Sequence, residues 1–186
     1  MLKRLLLLAL CVVLTVVSTA CGGQEATEEQ PTQTEESYPV TYVPNETVNR
    51  FILTFQQRSE LSLQDITKGT APDEYVMMLN DCQLSLTPTA TGMGVMLFSE
   101  PGERGQEKLF TAFSHIAKAA DKSCTTDQLD AAIAFMKKQA GSSSEPFRVC
   151  NEVKILSYAP SVQVGGSQTN HRLDLVLINY VQVESE

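Results

Sequence analysis

Five cysteines and two histidines are the residues in this chain best suited to chemistry: Cys11, Cys21, Cys82, Cys124 and Cys150, with His115 and His171. A thiol nucleophile needs a cysteine beside an imidazole and a third group to orient it. No spacing here selects such a pair. The cysteines also lack the close CxxC spacing of zinc sites. Ser142-Ser143-Ser144 has no GxSxG frame around it and reads as a loop. No glycine loop of the phosphate-binding kind is present. Asn80-Asp81 and Asp121 lack the spacing of a calcium loop and read as turn and helix-end residues. The expectation is therefore no catalytic residue, no metal and no cofactor. One basic stripe stands out. Lys108, His115, Lys118 and Lys122 fall on the polar side of one helical stretch, where they offer an anion-binding face to an acidic ligand. A plain solvated helix face produces the same stripe.

The first 23 residues carry a different kind of signal. Lys3 and Arg4 precede Leu5 to Val17, an uncharged and mostly apolar run. Small residues Ser18-Thr19-Ala20 come next, then Cys21 and Gly22-Gly23. Such a charged start, apolar centre and small-residue end is the plan of a secretory signal peptide. The run is short of the ~20 apolar residues that a membrane-spanning helix needs. Ser18-Thr19-Ala20-Cys21 resembles the lipobox of bacterial lipoproteins. The resemblance implies cleavage after Ala20 and a diacylglycerol on the Cys21 thiol. The mature chain is then anchored to a lipid bilayer on the extracytoplasmic side of the cell envelope. Ser18 departs from the family pattern, in which leucine is usual. Ordinary secretion, with Cys21 as a thiol or disulfide partner, is the other reading.

Removing residues 1–20 leaves 166 of the 186 residues, enough for one domain with a sizeable core. It also removes two basic residues and no acid, so the net charge of −8 becomes −10. A chain this acidic is unsuited to nucleic acid. Cys82, Cys124 and Cys150 remain as thiols that an exported protein can oxidise. The expected bond is Cys82–Cys150, both read as strand residues. Cys124 precedes a helix about 22 Å long. Cys150 lies too early in the returning strand to come back level with it. Three reduced, packed thiols are the alternative.

The elements that must position these groups follow from periodicity. Gln24 to Ser37 has five glutamates, no basic residue and one apolar residue, and is expected to be a disordered tether. Pro44 to Arg58 reads as a helix capped by Asn45, with Val48, Phe51, Ile52 and Phe55 on one face. Ser59 to Asp73 is ambiguous. Tyr75–Leu79, Cys82–Leu86 and Met93–Phe98 read as strands. Met77, Met78, Met93 and Met96 gather there, either as core or as an adaptable binding face. Two helices follow. Leu109, Phe113, Ile116, Ala117 and Ala120 mark the first. A Thr125–Gln128 capping box with Leu129, Ala132, Ile133 and Met136 marks the second. Phe147, Val149, Val153 and Ile155 suggest one long strand, interrupted at Asn151. Ala159 to Asn170 is a long polar loop. Leu173 to Val183 is apolar on both sides, as a central strand would be.

This order predicts an α+β domain over residues 44–186, with an antiparallel sheet of about four or five strands. About three helices should cover one face. The expected function is a membrane-anchored, non-enzymatic binding or envelope-interaction lipoprotein, with a protein or small-molecule ligand. The alternative is an exported enzyme whose site assembles only in the fold.

Overall fold

The structure is a computed structural model and describes residues 43–139 and 145–181. The expected signal peptide, Cys21, the acidic tether and Ser142-Ser143-Ser144 lie outside the described residues. Among the described residues there are three helices: α1 (Glu46–Arg58), α2 (Glu103–Ala120) and α3 (Thr126–Gln139). Nine strands accompany them. They are β1 (Gln64–Lys68), β2 (Tyr75–Leu79), β3 (Cys82–Thr89), β4 (Gly92–Ser99), β5 (Phe147–Arg148), β6 (Val153–Ala159), β7 (Gln163–Val164), β8 (Ser167–Gln168) and β9 (His171–Leu177). No helix among the described residues is long and apolar enough to cross a membrane.

The helices form where the stripes predict. Asn45 caps α1, its Oδ1 accepting from the Val48 N–H at 3.0 Å, and Val48, Phe51, Ile52 and Phe55 are all fully buried. The Thr125–Gln128 box is reciprocal. Thr125 Oγ1 accepts from the Gln128 N–H at 3.3 Å, and Gln128 Oε1 accepts from the Thr125 N–H at 2.8 Å.

The main sheet is fully antiparallel in the order β1-β2-β3-β4-β9-β6-β5. The fold class is α+β as expected, but the sheet has seven strands rather than four or five. Two short edge strands and a fold-back make the difference. β1 comes from the ambiguous stretch; it is an edge with only Ile66 half-buried, so it shows little alternation. The expected long strand from Phe147 to Ile155 is two antiparallel strands. The chain reverses between them, where the Val149 N–H reaches the Val153 carbonyl at 2.9 Å. Asn151, the break in the pattern, sits in that turn. The long loop after Ala159 contains the β7–β8 ribbon, turned by Gly165 and Gly166 at φ +56° and +88°. β9 does lie centrally, between β4 and β6. It ends at Leu177, however, and Tyr180 leaves the strand to pack edge-on against Phe51 at 5.6 Å.

Register then divides the side chains. One face carries rows such as Met77–Leu84–Leu97–Leu173–Tyr158 and Tyr75–Leu86–Val95–Leu175–Ile155. These residues are buried with the apolar stripes of all three helices in one core. The other face carries Met78–Gln83–Phe98–Arg172 and Val76–Ser85–Met96–Asp174. Of these, Gln83 and Arg172 are exposed, Ser85 is buried, and the rest are half-buried.

Candidate functional site

The expected basic face changes character in three dimensions. Lys108 Nζ lies 3.0 Å from an Asp81 carboxylate oxygen and 2.9 Å from one of Glu100, so its charge is already met. Hydrogen bonds to those two acids raise its pKa. His115 Nδ1 lies 2.9 Å from Ser59 Oγ. Burial, then the charge of Lys118, pushes its pKa down and so disfavours the charged ring. Only Lys118 and Lys122 stay exposed. His171 is equally occupied. Its Nδ1 accepts from the Ser161 N–H at 3.0 Å, so Nε2 carries the proton and donates to the Gly102 carbonyl at 3.0 Å. The ring holds the long loop against the start of α2.

The cysteines rearrange as well. Cys82 begins β3, and its thiol is pushed up to about 11 by burial. The expected Cys82–Cys150 bond is overturned by the topology. β4 and β9 separate β3 from β6, so three strand steps of ~4.8 Å already exceed the ~7 Å reach of a disulfide. Cys82 also lies toward the Ser99–His171 end of the sheet. Cys150 precedes Val153, which pairs with Leu177 at the opposite end. Cys150 instead lies beside Cys124, in turns bridged by the Asn151–Ser123 and Glu152–Asp121 hydrogen bonds. The argument from helix length fails because β5 returns beside Phe135, not beside the end of α3. Phe135 and Phe147 stack at 4.4 Å. That starting point lies about one helical turn nearer to Cys124.

Two concave regions among the described residues bear on a site. A polar cleft of about 300 Å³ lies between the start of β1 and the β2–β3 turn, next to Asp65, Asn80 and Asp81. All three have positive φ, from +52° to +58°. Asn80 and Asp81 are the two central residues of a tight hairpin turn, and Asp65 sits at the irregularity in β1, so backbone geometry accounts for them. Both carboxylates are exposed to water.

The second region is a groove of about 330 Å³ on the open face, crossing β3, β4, β9 and β6. Gly94 leaves its floor low, between Thr87 and Val176 in register. A bulge in β6 between Ile155 and Ser157 turns Leu156 outward at 43% exposure, to form one wall. Met96, Arg172 and Asp174 form the other. Arg172 Nε holds Asp174 Oδ1 at 2.9 Å, and the guanidinium carbon sits 5.8 Å from the Phe98 ring centroid. Ser157 Oγ donates to Asp174 Oδ2 at 2.5 Å. The rim is thus an ordered ion pair, and the floor and walls are mostly apolar. Of the four methionines, Met77 and Met93 are core, while Met78 and Met96 stand on this face. Sequence reasoning did not single out the groove. The readable signal was Gly94 inside a strand, which marks a gap or a close approach. The bulge at Leu156 left no comparable mark. Compared with known protein families, with curated proteins and with solved structures, the chain matches none.

Proposed function

We propose that this chain is an exported bacterial lipoprotein, anchored through Cys21 on the extracytoplasmic side of the envelope. Its folded domain acts as a non-enzymatic binding module. The anchor part of the reading rests on Ser18-Thr19-Ala20-Cys21 and the apolar run before it. The binding part rests on the groove: a mostly apolar trough, bordered by a fixed cation and a fixed anion, on the sheet face opposite the helices. Such a site suits a protein segment that presents an apolar side chain beside a polar or charged group. The apolar part fills the space over Gly94, and the Arg172–Asp174 pair supplies one donor and one acceptor at the edge.

In-cell photocrosslinking tests both parts. A photoreactive residue at Met96 should give a discrete adduct in the membrane fraction, and Gly94→Val should abolish it. The same probe at exposed Asp130 on α3 should give none. Cys21→Ser should release the protein from membranes and remove the lipid mass from residue 21. Equal adducts at positions 96 and 130 would overturn the binding reading. A Cys21→Ser protein that stays in the membrane fraction would overturn the anchor.

A further inference from the structure

Cys124 and Cys150 are 26 positions apart, on either side of α3. Each lies in a turn, and the two turns are bonded together by their neighbours. The Glu152 N–H donates to Asp121 Oδ2 at 3.2 Å, and Asn151 Nδ2 donates to Ser123 Oγ at 3.2 Å. Asp121 is itself buried and shapes its own turn, accepting from the Ser123 N–H at 2.8 Å and Ser123 Oγ at 2.7 Å. Between these contacts Cys124 and Cys150 are both buried, at 7% and 4% exposure, and both are free thiols.

We propose that Cys124 and Cys150 form an intramolecular disulfide that staples the α2–α3 turn to the β5–β6 turn. The oxidant is a small or protein disulfide of the glutathione class. The Cys124 thiolate attacks it, breaks its S–S bond and expels one thiolate. The Cys150 thiolate then attacks the Cys124 sulfur of the mixed disulfide and expels the second. Two protein S–H bonds are lost and one S–S bond forms. The two protons and two electrons leave on the two thiols of the reduced oxidant. Burial pushes both protein thiols up. Cys124 is the more exposed of the two and is reached first. The closed, dry setting suits a structural bond rather than a turnover dithiol. The choice of partners depends on this geometry, and the persistence of the bond on a compartment oxidising enough to keep it.

The test uses the full chain, purified reduced and brought to equilibrium with glutathione redox buffers, then alkylated and mapped without reductant. The expected product is a linked Cys124–Cys150 peptide pair with Cys82 alkylated. The bond should also survive reducing ratios about a hundredfold stronger in buffer than in concentrated urea, because folding holds the sulfurs together. Recovery of Cys124 or Cys150 alkylated at oxidising glutathione ratios, or of Cys82 in a mixed pair, would overturn the proposal. So would equal reducibility in buffer and in urea.

Discussion

On β4 the residues Met93, Val95 and Leu97 lie under the helices and are at most 1% exposed. Gly94, Met96 and Phe98, one position out of step, stand half-buried on the open side. The same strand thus serves two purposes. The covered face is closed by α1, α2 and α3 and filled by large apolar side chains in register, so its shape is set by packing. The open face mixes Val76, Met78, Met96, Phe98 and Val176 with Ser85, Arg172 and Asp174. Its relief is set by two local departures from regular strand, the missing side chain at Gly94 and the extra residue at Leu156. A face that needed only to meet water would not require both. The difference teaches that stability resides on one side of the sheet, and that the other is free to carry a site.

Truncating equivalent side chains on the two faces sharpens that contrast most. Leu97→Ala should lower unfolding stability by about 2–5 kcal/mol, since it opens a cavity in a fully buried row. Met96→Ala should cost about 1 kcal/mol or less. Urea denaturation of both variants measures this, and similar losses would mean that the open face is covered in the native protein. Filling the groove should do less. A Cβ at Gly94 meets only the Thr87 carbonyl oxygen, at 3.5 Å. Gly94→Val should therefore leave stability unchanged or raise it by up to ~1 kcal/mol, a β-branched residue replacing glycine in a strand. A large loss by the same measurement would show that the floor has no spare room.

The smallest effect concerns the joint between the helices and the sheet edge. Burial alone would push the Asp121 carboxyl up. The hydrogen bonds from Ser123 Oγ, the Ser123 N–H, Cys150 and the Glu152 N–H outweigh burial and hold it below its ordinary value. Its folded pKa is thus depressed. The stability it contributes is fully present above the unfolded value of ~3.8 and is lost as pH falls through the lower folded value. Urea midpoints should decline more steeply from pH 5 to pH 3 in the wild type than in Asp121→Asn. Parallel declines would remove Asp121 from the account.

Much of this molecule was legible before folding was considered. The stripe Val48, Phe51, Ile52 and Phe55, the box at Thr125 and Gln128, and the alternation in β3 and β4 are local patterns. Each element displays its own two faces in its own spacing. β1 was not legible, because an edge strand buries too little to alternate, and β5 was read as one strand with β6 because the reversal between them leaves no period. The placing of β9 between β4 and β6 was a matter of pairing over long sequence separations. That one choice separates Cys82 from Cys150. The return of β5 beside Phe135 brings Cys150 to Cys124. The fate of the basic stripe was also tertiary. Lys108 sits in the helical pattern of an exposed face, yet Asp81 and Glu100 reach it from the ends of two strands. Spacing along the chain determines which side chains share a face of one helix or strand. Which charges meet and which thiols touch is decided only when separate elements close on one another, because neither contact leaves a period in the sequence.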